Sequence, residues 1–455
     1  MKIRGLSTAQ IIAAGFFVII MIGAVVLSLP ISSSDGKFLS FTDAFFTSVT
    51  SVCVTGLTTV TIAEQFNLFG KAVILFLIQL GGLGVVCCGI GVLTLFRRRI
   101  NMKERMLIQS SYNLSSFDGL VRFIRRIIKS TFMIEGIGAV FYSFVFIPDF
   151  GLRRGIWYSI FHAVSAFCNA GIDILGDSSF EMYRDNMMVH FTTSFLVIAG
   201  GIGFIVWWDV KDTLVKARKL RRVRGCIWNR LTVHAKLSIW VTVFLLISGT
   251  ILIFMFEYTN NATIGKLDLP HKIMSSFFES MTTRTAGFAA IPQENFRDST
   301  YIILLILMFV GGSPLGTAGG VKTTTIAMLF LVMRSEIKGF REPEVFHRRI
   351  SSENVKAGLS IVILAVSFLC LSVISLVITE DLPLKEIVFE CVSAMGTVGL
   401  GRGNTSALSV PGKLIICCLM FAGRIGPITL TMAFASRKEK MKNRHENAAV
   451  KIMVG

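Results

Sequence analysis

Charge is what this chain has least of. Only 16% of its 455 residues are Asp, Glu, Lys or Arg, against 53% hydrophobic residues and a mean hydropathy of +0.68. That balance excludes an ordinary soluble domain. Acidic residues are the scarcer sign, 28 against 46 basic, which leaves a formal charge of +18. The excess does not describe a nucleic-acid surface, because the basic residues avoid the apolar stretches and gather in short connectors. Catalytic signatures are also missing. There is no GxSxG, no HExxH and no paired carboxylate within an apolar stretch, so nothing supplies the nucleophile, acid/base pair or metal of a membrane enzyme. No GxGxxG follows a predicted strand, so the chain has no nucleotide site of its own. Its nine cysteines form no CxxC and no Cys/His cluster of zinc spacing, and an odd count gives no disulfide framework. Cys87, Cys88, Cys370, Cys417 and Cys418 lie within apolar runs, where Cys acts as a small apolar residue.

What the chain has in abundance is long uncharged sequence. Ile11 to Pro30, Ala72 to Phe96, Leu237 to Phe256, Tyr301 to Gly312 and Ala357 to Thr379 are examples, and about 20 apolar residues suffice to cross a bilayer. Eight spans are expected. Between the two spans of each pair lies a shorter, half-apolar segment of helical character, followed by a glycine-anchored loop. Such a segment is too short to cross and return, so it reads as a re-entrant helix whose irregular backbone must face protein or an aqueous path. The basic runs Arg97 to Arg105, Arg122 to Lys129, Lys211 to Arg230, Arg334 to Arg349 and Arg437 to Arg444, with Lys2 and Arg4, all fall on one side. The positive-inside rule makes that side cytoplasmic and turns the loops outward. The first apolar segment lacks a small-residue cleavage site and is read as a retained span rather than a signal peptide.

The four loops read Cys53-Val54-Thr55-Gly56, Cys168-Asn169-Ala170-Gly171, Arg284-Thr285-Ala286-Gly287 and Gly396-Thr397-Val398-Gly399. Thr397 to Gly401, TVGLG, is one residue from the TVGYG filter loop of potassium channels. The anchor glycines stand 115, 116 and 112 residues apart, and ten positions before each is Phe46, Phe161, Phe277 or Phe389. A unit of that size is therefore quadruplicated around one axis, with repeats at 1–105, 106–230, 231–345 and 346–455. Only backbone is common to the loops, as expected where carbonyl oxygens replace an ion's water and side chains pack behind. Glycine permits the left-handed or extended geometry that such a loop needs. No carboxylate lies in any quartet, which argues against an acidic filter for divalent cations. The segments Asp43 to Val49, Trp157 to Val164, His271 to Ser280 and Leu384 to Val392 are expected to be short helices whose C-terminal dipoles favour a cation. His162, His271, Glu279 and Glu390 in these segments are assigned no ion contact. Arg284 is expected to pair with a buried carboxylate, Glu279 or Glu390.

A second quartet follows each loop: Gly81 to Gly84, Gly200 to Gly203, Gly311 to Pro314 and Gly423 to Gly426. In the first two repeats, close helix packing explains the small residues. The third departs, since Gly311, Gly312, Ser313, Pro314, Leu315, Gly316, Thr317, Ala318, Gly319, Gly320, Val321 and Lys322 hold five glycines, a proline and a charge within one span. That span should split around a loop lying under the filter, a candidate gate with hydroxyls from Ser313, Thr317 and Thr323. Arg424 replaces Gly at the matching point of the fourth repeat, where it sets a barrier or braces the loop.

Four membrane-pore-membrane units, one Gly per filter loop, a broken second span in unit three and an Arg in unit four resemble the Trk/Ktr/HKT potassium-transporter superfamily. Eight spans without a further N-terminal pair look like its Ktr membrane subunits. The resemblance implies an all-α membrane protein with eight transmembrane helices and four re-entrant pore helices around one central pore. It also implies potassium selectivity, since members with Ser at the first filter position admit sodium more readily and this chain has Gly56. By the same resemblance the protein is a homodimer in a bacterial plasma membrane with both termini cytoplasmic. An octameric cytoplasmic ring of RCK-type regulatory subunits, KtrA- or KtrC-like, would then carry the ATP or ADP and control the gate, and the end Lys451 to Gly455 would help to join the dimer. The alternative is a sodium-coupled or sodium-permeable cation transporter. Alternating access of the usual inverted-repeat kind would alternate the basic connectors across the membrane, which they do not do.

Overall fold

The computed structural model describes residues 7–85, 87–88, 120–176, 179–219, 227–339, 342–346 and 348–434. The proposed repeat boundary at 105/106, the basic runs 97–105 and 437–444, residues 2 and 4, and the end 451–455 lie outside them, as does part of the run 211–230.

The longer helices are α1 (Thr8–Ser28), α2 (Phe41–Cys53), α3 (Leu68–Leu83), α4 (Leu120–Phe167), α5 (Met187–Gly201), α6 (Phe204–Lys219), α7 (Val233–Glu257), α8 (Leu269–Thr282), α9 (Asp298–Phe309), α10 (Thr323–Ile337), α11 (Ser352–Thr379), α12 (Leu384–Gly396), α13 (Val410–Ile425) and α14 (Pro427–Phe434). One two-residue ribbon, Glu344–Val345 with Arg348–Arg349, accompanies them. Among the described residues, four helices are long and apolar enough to cross a membrane: α1, α4, α7 and α11. The pairs α5/α6 and α13/α14 meet that test together but bend by 94° and 102° at the joint, and α3 and α9 are shorter apolar helices. With each bent pair counted as one span, the described residues hold up to six helices or pairs long and apolar enough to cross, besides these two shorter apolar helices.

These helices are apolar on the outside. On α1, Phe17, Val18, Ile22 and Val25 are exposed, and on α11 so are Leu359, Ile363, Val366, Leu371 and Ile374. An all-round apolar surface belongs in lipid. The polar side chains are instead drawn inward, with Thr47, Ser48, Thr50, Ser51, Ser165, Ser276, Ser280, Thr282 and Ser393 buried on the short helices. Two of them clamp neighbours: the Ser48 hydroxyl donates to the Ile20 carbonyl at 2.7 Å and the Ser280 hydroxyl to the Leu246 carbonyl at 3.0 Å. A Cβ on Gly23 or Gly249, three residues after each acceptor, would collide with that same serine. Small residues bring the two helices close enough for the bond.

Contacts between elements close on themselves. Helix α3 packs on α4, α5 on α8, α9 on α12, and α13 returns to α2. A partly buried ion pair, Lys413 to Asp43 at 2.9 Å, joins α13 to α2 at this closure.

The expectation that the second spans of the first two repeats are plain packed helices is corrected. Helix α3 stops at Leu83 and α5 at Gly201, and the fourth residue of each quartet, Gly84 at φ 85° and Gly203 at φ 96°, is left-handed. Gly426, at φ 93°, breaks the fourth in the same way. Every quartet interrupts a helix, and only the third inserts a long loop.

Candidate functional site

Four short helical stretches end at the four predicted loops. They are α2, the part of α4 that follows the non-helical Gly151, α8 and α12. Each chain then turns through a left-handed residue two positions before the anchor glycine: Val54 at φ 56°, Asn169 at φ 58°, Thr285 at φ 65° and Thr397 at φ 51°. The anchors follow at positive φ, with 106° at Gly56, 62° at Gly171, 80° at Gly287 and 93° at Gly399. Non-glycine residues in this region carry strain of roughly 1 kcal/mol or more each, so the surroundings must hold them.

A hydroxyl does much of that holding. The backbone N–H groups of Thr55, Ala170 and Val398 donate to the carbonyls of Thr50, Ser165 and Ser393 at 2.9, 2.8 and 2.8 Å. The same three residues lend their side chains: Gly56 N–H donates to Thr50 Oγ1, Gly399 N–H to Ser393 Oγ, and Ser165 Oγ donates to the Ile172 carbonyl. In the third loop Thr282 does this work one residue out of phase, donating to the Phe288 carbonyl at 2.7 Å. The phenylalanine pattern slips with it. Phe46, Phe161 and Phe389 are fully buried, but in the third unit Phe278 is buried rather than the expected Phe277. A hydroxyl six residues before each glycine, five in the third unit, was available in the sequence as a signal and was not used.

The four glycines come together. A Cβ on Gly56 would lie 2.7 Å from the Ala170 carbonyl oxygen, 3.2 Å from the Gly399 Cα and 3.3 Å from the Gly171 Cα; one on Gly287 would lie 3.1 Å from the Gly171 Cα and 3.3 Å from the Gly399 Cα. Beyond them opens a cavity of about 500 Å³ lined by all four glycines and by residues that follow each loop, among them Thr58 and Asp173.

Of the remaining quartet residues, Cys53, Val54, Thr55, Cys168, Asn169, Ala170, Ala286, Thr285, Gly396, Thr397 and Val398 are all buried. Arg284 is buried too, but not with a carboxylate. Its guanidinium donates to the Thr242 carbonyl at 3.1 Å and to the Thr242 hydroxyl at 3.4 Å. Glu390 is otherwise engaged, accepting from Thr405 Oγ1 at 2.9 Å and Arg402 N–H at 3.3 Å. The side chain of Arg284 thus turns outward to α7, which relieves the conflict of a cation beside the loops.

On the opposite side of the glycines from the cavity lies the irregular segment between α9 and α10. It contacts the residues that precede the anchors. A Cβ on Gly319 would press on Thr397, and one on Gly320 would sit 3.0 Å from the Gly396 carbonyl oxygen. Thr317 Oγ1 donates to the Phe167 carbonyl at 3.0 Å and bonds Asn169 Oδ1 at 2.9 Å. The backbone N–H groups of Ser313 and Thr317 donate to the Gly201 and Gly200 carbonyls, and Phe204 N–H donates to the Leu315 carbonyl. Gly311 N–H donates to Val321, Thr323 N–H to Gly312, and the Ser313 and Thr323 hydroxyls meet at 3.1 Å. Lys322 folds back onto the Ala318 carbonyl at 2.7 Å. Arg424 crosses from α13 and donates to the carbonyls of Thr317, Gly81 and Gly82. Pro314 and Gly316 complete the segment, and their carbonyl and N–H groups face Gly203, as the room left by that glycine shows. Of the two roles open to Arg424, bracing is the one its bonds describe.

Among the described residues no group of three His, Cys, Asp or Glu side chains is placed to hold a metal.

Comparison with known proteins fits this geometry. The TrkH model, described as a cation transport protein, matches residues 6–445. The potassium/sodium uptake protein NtpJ of Enterococcus hirae is 38% identical over 99% of this chain and 98% of its own length, and the Ktr system potassium uptake protein B of Bacillus subtilis 36% identical over 94% and 93%. Among solved structures, the crystal structure of the potassium transporter TrkH from Vibrio parahaemolyticus superposes with a TM-score of 0.73 over 96% of this chain and 86% of that one, at 17% identity. A helical membrane protein that gathers four glycine loops at one point, over nearly its whole length, belongs to the TrkH family of cation transport proteins.

Proposed function

We propose that this chain is a potassium-selective translocating subunit for potassium uptake. One observation carries it: four glycines from four parts of the chain approach to within van der Waals reach of one another, each preceded by a left-handed residue. On this reading each loop turns backbone carbonyls toward a shared axis, where they replace the water of a dehydrating cation. The quartets 53–56, 168–171, 284–287 and 396–399 form the filter, and the units at 1–105, 106–230, 231–345 and 346–455 are its four membrane-pore-membrane repeats. Helix C-termini aimed at the filter add a negative potential. Segment 311–322 is the gate. It rests against loops two and four and is fastened by Arg424, and opening means releasing those bonds.

Relatives named as parts of a Ktr system support a cytoplasmic RCK-type regulatory partner that carries ATP or ADP, docking on a homodimer of this chain in a bacterial plasma membrane. Growth of a potassium-uptake-deficient bacterium at micromolar to millimolar potassium tests the proposal, with the chain alone and with such a partner. Rescue lost on Gly287→Ala or Gly399→Ala, at unchanged membrane content, is expected. Failure to rescue in both settings despite insertion overturns it.

The name of the Enterococcus relative, potassium/sodium uptake, keeps a second reading open: sodium-permeable or sodium-coupled transport. Sodium uptake measured beside potassium uptake separates the two.

A further inference from the structure

Two polar side chains interrupt otherwise apolar stretches: Gln79, the one polar residue between Lys71 and Gly81 on α3, and Glu135, the one charged residue between Lys129 and Asp149 on α4. Polar groups at membrane depth are costly and turn toward protein. These two turn toward each other, Gln79 Nε2 donating to Glu135 Oε1 at 3.0 Å. The thiol of Cys168, first residue of the second quartet, reaches the same pair, with Sγ 3.8 Å from Gln79 Oε1 and 4.0 Å from Glu135 Oε1. Glu135 and Cys168 are buried, whereas Phe132, Met133 and Ile137 beside Glu135 are exposed. We propose that Glu135, with Gln79 as its partner, is a positioning residue for ion selection, which holds the inner end of loop two from behind and so helps to set the preference for potassium. The inference rests on the filter reading above.

Three observations carry it. First, packing α3 on α4 does not call for this pair. The second oxygen of Glu135 is buried with no hydrogen-bond partner, and a half-matched carboxyl joins two helices less well than apolar side chains of similar size. Second, loop two is tied differently from loops one and four. In those, the bracing hydroxyl accepts from the anchor glycine, Gly56 or Gly399, whereas Ser165 donates past Gly171 to the Ile172 carbonyl. Third, another hold on this loop belongs to the candidate gate, since Thr317 Oγ1 bonds the Phe167 carbonyl and Asn169 Oδ1, on either side of Cys168. When segment 311–322 withdraws, those bonds go with it, while the contacts of Cys168 with Gln79 and Glu135 stay on α3 and α4. A thiol is a weak donor, but its seat is close: a Cβ on Gly82 would lie 2.5 Å from Cys168 Sγ.

The ratio of two fluxes separates positioning from plain stability, because a structural loss lowers membrane content and both fluxes together and leaves their ratio alone. Glu135→Gln keeps an oxygen acceptor in place and removes the charge, Glu135→Leu removes the acceptor, and Cys168→Ala removes the thiol while leaving the helix pair intact. Paired rubidium and sodium fluxes are measured in uptake-deficient cells expressing the full chain with its regulatory partner, normalised to membrane content. For Glu135→Leu and Cys168→Ala the rubidium-over-sodium ratio should fall roughly threefold or more. Glu135→Gln should stay near the parent. A parental ratio in Cys168→Ala overturns the proposal, even where Glu135→Leu fails to insert. So does a ratio in Glu135→Gln as low as in Glu135→Leu, which would make the charge and not the acceptor the active element. A parent chain that itself shows no preference for rubidium instead defeats the filter reading on which the proposal stands, so the two failures are distinct.

Discussion

Gly56 has no room for a side chain. A Cβ there meets the Ala170 carbonyl oxygen at 2.7 Å on a backbone at φ 106°, so Gly56→Ser must shift loop one against loop two. The expected result is a lower potassium-over-sodium uptake ratio at retained membrane content, read from paired rubidium and sodium fluxes. An unchanged ratio would remove Gly56 from the filter. Arg424 is the second informative side chain. It donates to three carbonyls in two places, and charge-assisted bonds of this kind are each worth about 1.5–3 kcal/mol. Arg424→Gln should raise rubidium flux into proteoliposomes several-fold without a regulatory partner, while Arg424→Lys should fall between. A flux no higher than the parent's would show that the bonds do not hold the path closed. Legibility at this scale was uneven. The anchor glycines could be read because a left-handed turn restricts residue choice locally. The partner of Arg284 could not, because Thr242 lies 42 residues away on another helix and a carbonyl acceptor leaves no trace in side-chain identity.

Among the elements, the segment between α9 and α10 was the most legible, since five glycines and a proline within a dozen residues cannot sustain a helical ladder. Its bonds reach loop two, the end of α5 and, through Arg424, the end of α3. Deleting residues 311–316 should therefore raise flux in properly inserted protein, and no increase would reduce the segment to a kink. The breaks at Gly84, Gly203 and Gly426 went unread. A glycine within an apolar run serves helix packing and helix termination equally well, and sequence alone does not say which. What distinguishes them is the fourth position of the first, second and fourth quartets, where the positive φ occurs. In the third unit, moving the buried Phe and the bracing hydroxyl by one residue shows that the units share geometry more strictly than sequence register.

For the molecule as a whole, the decisive feature is closure: α13 packs on α2, and Lys413 and Asp43 pair across that seam with side chains 14% and 19% exposed. A pair this sheltered is costly to break from one side. Lys413→Met should lower stability by about 1–3 kcal/mol, below the range for a fully buried pair, measured as an earlier thermal transition in detergent. The double change with Asp43→Asn should cost less than the two single changes summed. Composition made the membrane class plain, and the near-equal glycine intervals suggested four units. Closure itself was not legible, because contacts between residues 370 positions apart follow from the packed arrangement and not from any local pattern.

That closure is made by one chain whose four loops differ at nearly every side chain. A ring assembled from four identical subunits must accept each substitution four times over. Here a single codon alters one loop and leaves three untouched, so the surroundings of the four glycines can be adjusted in quarter steps, and one unit was free to acquire the long irregular insertion between α9 and α10 that is absent from the described residues of the other three.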